Sequence, residues 1–334
     1  MTVRWGIQPE LGDHRVLRPG KWLPARAIGW ALVLVFAIAL AFGTGLEALA
    51  DALPRQPAPQ FVAQAAGALI ILCAYAGLVR LGEARSPSEL ELRAAPTGTL
   101  AGLMIGFVMF STVMAIMIAF GLYKFDYRGS ASIWRGAGLA IESGVFEEVI
   151  VRGVIFRLAW RVIGPWMAFV VSAILFGAGH IGNPGATWFT TACITIEAGI
   201  MLGSFYALTG RLWVSIGVHT GWNFTQGYLF GTAVSGGKFS DAIAVSTAQA
   251  QFPSWLTGGA FGPEASLPSV AICLGVGVLV LRLAWMNGRF AKQAHRRRTP
   301  VTLGSTVSAS RSGTSSTPWA SIRGCCARTS RFRR

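Results

Sequence analysis

Residues 142–160 read ESGVFEEVIVRGVIFRLAW. The run is apolar enough for a bilayer, yet it holds Glu142, Glu147, Glu148, Arg152 and Arg157. One charge near the bilayer centre costs at least about 2.5–3.5 kcal/mol on insertion scales, so five in one candidate span need a compensating arrangement. On a helix, Glu148 and Arg152 stand four residues apart with the acid nearer the N-terminus, the favourable order for a pair. Glu147 lies about 100° around the helix from Glu148. The pattern predicts that Arg152 holds Glu148 while Glu147 faces a polar cavity. The plainer alternative is a buried ion pair that only locks helices together.

Around this stretch the chain of 334 residues is 53% hydrophobic and 13% charged, against about a quarter charged in a soluble domain. Eight apolar segments approach the roughly 20 residues a spanning helix needs, at about 27–48, 61–82, 98–122, 133–158, 164–181, 187–208, 211–231 and 266–287. The fold class expected is all-α: a polytopic membrane protein, a bundle of about eight transmembrane helices with an internal polar cavity. Its divisions are a polar N-terminal segment, 1–26, a helical bundle, 27–288, with a core at 133–230, and a basic tail, 289–334. Gly and Pro at 163–165, 182–186 and 210 mark short connections. The Gly- and Ser-rich stretch 232–264 reads as a long loop covering one mouth of the bundle.

The net charge of +15 is concentrated in the terminal segments and alternate loops. That distribution argues against nucleic acid and for membrane topology, with both termini cytoplasmic. Residues Arg157 and Arg161 count among the charges of that side. The Arg-, Ser- and Thr-rich tail reads as disordered and suits an anionic lipid surface. The five cysteines show neither CxxC nor paired spacing, so no zinc knuckle or disulfide framework is indicated.

Further polar groups lie within the apolar segments. His180 follows Phe176 by four residues; His219 and Asn223 share a face four apart; Glu142 and Glu197 are two more acids without an assigned role. Counted from the proposed cytoplasmic ends, Glu147, His180, His219 and Asn223 lie about 12–22 Å deep, near the middle of a roughly 30 Å core. A carboxylate, two imidazoles and an amide in a wet cavity suit amide hydrolysis. A partly desolvated Glu takes a proton from water, one His orients the water, and the other His and the Asn donate to the oxyanion. The alternative is a Zn²⁺ ion held by Glu147, His180 and His219, which would activate the water instead. A non-catalytic membrane protein (immunity factor or scaffold) and an ion- or proton-coupled transporter also use intramembrane Glu and His.

The set EEVIVR (Glu147 to Arg152), FGAGH (Phe176 to His180) and HTGWN (His219 to Asn223) resembles the ordered signatures EExxxR, FxxxH and HxxxN. These belong to the CPBP intramembrane proteases, the CAAX prenyl protease or Abi family. The resemblance implies an eight-helix bundle in the cell membrane, in bacteria the inner one, with a conical cavity opening to the cytosolic side. It implies an endopeptidase acting on a membrane-associated protein or peptide, lipidated in eukaryotic members. It also implies that Glu147 and His180 activate the water, that His219 and Asn223 form the oxyanion site, and that Glu148 and Arg152 support them. It leaves metal and glutamate-only mechanisms both open.

Overall fold

Proline and glycine set the helix boundaries. Pro57, Pro165 and Pro268 stand in the first turns of their helices, where a missing N–H costs nothing. Gly164 (φ 87°) separates two helices at a sharp corner, and Gly210 (φ 65°) closes another in the left-handed region. The structure is a computed structural model describing residues 6–129, 131–238 and 241–291. In order, it contains α1 (Leu23–Ala52), α2 (Pro57–Glu83), α3 (Ala95–Ala119), β1 (Tyr123–Tyr127) and α4 (Ile133–Glu148). α4 continues through a π-helical stretch (Val149–Phe156) into α5 (Arg157–Ile163). Then come α6 (Pro165–Ala178), α7 (Trp188–Thr209), α8 (Leu212–Phe224) with a π-helical end (Thr225–Leu229), β2 (Ala244–Ala248), α9 (Ser254–Thr257) and α10 (Leu267–Met286).

The molecule is an all-α bundle of the membrane type, and among the described residues five helical rods are long and apolar enough to cross a bilayer: α1, α2, the rod at 88–119 that includes α3, α7 and α10. The expectation of eight spans exceeds this number. The 133–163 rod is rich in charge. α6 has 14 residues, about 21 Å of helix against a roughly 30 Å core. α8 has 13 residues and is buried along nearly its whole length. An inner helix shielded by apolar neighbours need not be apolar enough to face lipid. Outward-facing Leu32, Phe36 and Leu69 are exposed, as lipid contact requires, and exposed Trp22, Trp166, Trp188 and Trp285 stand at helix ends, where amphipathic rings favour the interface.

The 232–264 segment is not merely a loop: its β2 pairs antiparallel with β1, from Tyr123↔Ala248 to Tyr127↔Ala244. Alternation over five residues is too short a signal to read beside strong helical patterns. Arg157, counted with the charges of the cytoplasmic side, is fully buried, with Glu83 at 2.6 Å. Arg85 bonds both Glu83 and Glu89 at 2.7 Å. The 6–22 segment packs on this end of the bundle: Ile7 donates to the Thr209 carbonyl at 3.0 Å, and Leu17 is buried. α1 begins at Leu23, four residues before its expected start. Arg289 and Phe290, assigned to the tail, pack on the body. The expected disorder and lipid contact of the tail concern residues that, from 292 onward, lie outside the described ones.

α8 is placed by a glycine seam. Ideal Cβ atoms at Gly102 and Gly106 of α3 would meet the carbonyls of Val214 and Val218 at 2.4 and 2.2 Å, and Cβ atoms at Gly217 and Gly221 of α8 would meet those of Thr99 and Leu103 at 2.4 Å. Each pair is spaced GxxxG, the pattern that lets membrane helices approach backbone to backbone. Gly106→Val is expected to push α8 off α3. Overpacking of this kind costs about 1–3 kcal/mol, and because α8 carries His219 and Asn223 the site opens with it. A lower melting midpoint in detergent together with lost activity is the expected reading.

Candidate active site

Glu147 and Glu148 end α4, immediately before the π-helical stretch. A π-helical segment of this kind often marks a functional site. The neighbouring acids diverge as helix geometry predicts. Glu148 is fully buried and receives Arg152 Nη1 at 2.7 Å. Arg152 Nη2 donates in turn to the Ala198 carbonyl of α7 at 2.7 Å, and its guanidinium lies 4.9 Å from the Phe176 ring centroid. Glu147 is partly exposed, and its Oε2 has no hydrogen-bond partner.

That oxygen stands 3.9 Å from His180 Nε2 and 3.9 Å from His219 Nε2. The second nitrogen of each ring is anchored. His180 Nδ1 is 2.8 Å from the Phe176 carbonyl, which only accepts, so Nδ1 carries a hydrogen and Nε2 faces Glu147. His219 Nδ1 lies 3.2 Å from Glu148 Oε1, a carboxylate–imidazole contact that orients the ring. Phe176 packs against both rings, at 4.8 and 6.1 Å between centroids. Asn223 Nδ2 donates to Ser143 Oγ at 3.0 Å, which leaves its second N–H for another acceptor. The structure thus brings Glu147 from α4, His180 from the turn after α6, and His219 and Asn223 from α8 to one place, with Glu148 and Arg152 behind them.

The cavity beside them measures about 40 Å³, room for a few waters at roughly 10–15 Å³ each. It is lined by His180, His219 and Asn223, and also by Glu197, Ser235 and Glu264. Of the two acids left unassigned by sequence, Glu197 belongs here, whereas Glu142 accepts from Gln64 Nε2 at 3.0 Å in a separate cleft. Glu264 and Ser143 gave no sequence signal, the first being in a loop and the second a common helix residue. Burial pushes the Glu264 carboxyl up to about 7, against the opposing effect of its bond from the Ser235 N–H. Ser235 and Glu264 roof the cavity from the 231–266 segment, at the end of the bundle away from residues 6–22 and Arg289.

Zinc takes the donor types present in Glu147, His180 and His219, but the spacing does not fit. Ligands about 2.0–2.1 Å from one tetrahedral ion lie about 3.4 Å apart, less than either separation here. Among the described residues no group of three or more His, Cys, Asp or Glu side chains is placed to hold a metal.

Residues 129–225 match the sequence model of the family described as Type II CAAX prenyl endopeptidase Rce1-like. The match covers the charged helix and all three motifs, in agreement with the resemblance read from them. No curated protein and no solved structure matches the chain.

Proposed function

We propose, from the premise that residues 129–225 carry a type II CAAX prenyl endopeptidase-like core, that the chain is an intramembrane endopeptidase using a glutamate-activated water. The observation that carries this reading is the partnerless Glu147 Oε2 at 3.9 Å from two imidazole Nε2 atoms, close enough that one water set beside the line between them can bond the carboxylate and an imidazole together. A water there donates one hydrogen to Glu147 and the other to the lone pair of His180 Nε2. Glu147 takes its proton as the oxygen attacks the scissile carbonyl. In its protonated form, His219 donates from Nε2 to the developing oxyanion, while Nδ1–H stays on Glu148. The free N–H of Asn223 is the second donor. Glu148 and Arg152 fix the ring and the helix and do not touch substrate. The substrate class is a membrane-associated protein or peptide, with a prenylated C-terminal end as the first candidate because the family's description names one.

The test is cleavage by purified full-length protein in detergent of a quenched fluorescent peptide with a farnesylated Cys-aliphatic-aliphatic-X end, beside its unprenylated twin. Activity retained in both Glu147→Ala and His180→Ala would reject this site. Because the donor spacing does not suit zinc, activity is expected to persist after 1,10-phenanthroline treatment, with metal content checked by mass spectrometry. Loss restored by added Zn²⁺ would reverse that expectation.

A further inference from the structure

The cavity holds two acids that the water-activating step does not use. Glu197, from α7, is 3% exposed, and its Oε2 has no partner. Glu264, from the roofing segment, is also 3% exposed and accepts from the Ser235 backbone N–H. Ser235 takes a positive φ of 48°, a conformation uncommon outside glycine, and so presents its N–H at some conformational cost. Both carboxyls line one small cavity with His180, His219 and Asn223. The nearest arginine of the site, Arg152, is committed to Glu148 and to the Ala198 carbonyl. Two carboxyls enclosed in one cavity that no arginine or lysine lines cannot both be ionised cheaply, as in acid pairs that share a proton.

We propose that Glu264, brought into the cavity by the 231–266 segment, is the catalytic acid that protonates the leaving nitrogen, with Glu197 as the neighbour that keeps a proton on the pair. This rests on the protease reading above. The steps balance as follows. Glu147 takes one proton from water while its oxygen bonds to the carbonyl carbon, and the carbonyl π pair moves to the oxygen facing His219 and Asn223. That pair returns, the C–N bond breaks with its electrons on nitrogen, and nitrogen takes the proton of Glu264. The products are a carboxylic acid and an amine, and the proton on Glu147 returns through the cavity water to Glu264.

The experiment uses full-length protein in detergent, with the same two peptides as probes. Glu264 is buried with a carboxyl raised to about 7, so activity falls about tenfold per pH unit above that value as the donor loses its proton. His180, Glu197, His219 and Cys273 line the same cavity, and Glu147 stands 3.9 Å from both imidazoles. Glu264→Gln is expected to lower kcat by about 10²-fold with KM unchanged, and to remove that alkaline limb. Glu264→Asp is expected to restore part of both. Infrared difference spectra of wild type against Glu264→Gln near neutral pH are expected to show a carboxylic-acid carbonyl stretch lost in the variant; its absence would overturn the proposal without reference to activity. If wild type cleaves a probe and the variant keeps the rate or the alkaline limb, the proposal falls and the protease reading stands. If wild type cleaves neither probe, both fall.

Discussion

Glu147→Gln is expected to reduce hydrolysis by about 10²–10⁴-fold while leaving the melting midpoint of the protein unchanged. The asymmetry follows from what the two adjacent acids touch. Glu147 Oε2 has no hydrogen-bond partner and its side chain is 27% exposed, so an amide of the same shape leaves no buried cation unpaired. What it removes is the base. Glu148→Gln is the control: its carboxylate balances buried Arg152 at 2.7 Å and meets His219 Nδ1 at 3.2 Å. Neutralising it unpairs a buried charge, so that variant loses stability as well as activity. Rates on the fluorescent probes and thermal melts of both variants in one detergent decide the point. A Glu147→Gln protein that melts like Glu148→Gln would show that Glu147 is a structural acid.

The site was legible because bilayer energetics makes intramembrane polar residues conspicuous. Glu147, Glu148, Arg152, His180, His219 and Asn223 stood out as costs without a structural purpose, and helical spacing alone separated the roles of the two glutamates. What could not be read was anything set by contacts distant in sequence. The contact between His219 and Glu148 joins residues 71 apart, and Asn223 reaches Ser143 across 80. Glu264 sat in a Gly-rich loop where an acid costs nothing by itself; only the fold gives it a buried place. The π-helical stretch at 149–156 has no composition signal. The GxxxG pairs at 102–106 and 217–221 were plainly written in the sequence, yet the pattern is common in apolar helices and acquires meaning only when two such faces meet. The span count suffered for a related reason. Hydropathy reports what a helix shows to lipid, and the inner helices that carry this site show little to it.

Arg157→Met is expected to destabilise the protein by about 3–5 kcal/mol, the cost of removing one partner from a buried ion pair, with a far smaller effect on the activity of the molecules that remain folded. The guanidinium is fully buried, donating to Glu83 at 2.6 and 2.9 Å and to the Gly153 carbonyl at 2.8 Å. Its removal leaves Glu83, itself fully buried, with Arg85 and Trp30 Nε1, and leaves the acids of the cluster in excess over the bases. Tyr75, whose single hydroxyl hydrogen stands within reach of both the Gly153 carbonyl and Glu89, still ties α2 to the π-helical stretch, and that is why the site one turn away at Arg152 and Glu148 is expected to hold. The accompanying Glu83→Gln change tests the cause. If the penalty is an uncompensated buried carboxylate, the double variant recovers much of the lost stability, because removing both charges avoids the cost of leaving one unpaired. If the penalty is lost packing of the long arginine side chain, the second substitution makes matters worse. Melting midpoints of the wild type, the two single variants and the double variant in detergent separate the two explanations, and a double variant no better than Arg157→Met would show that this end of the bundle is held by shape and not by charge.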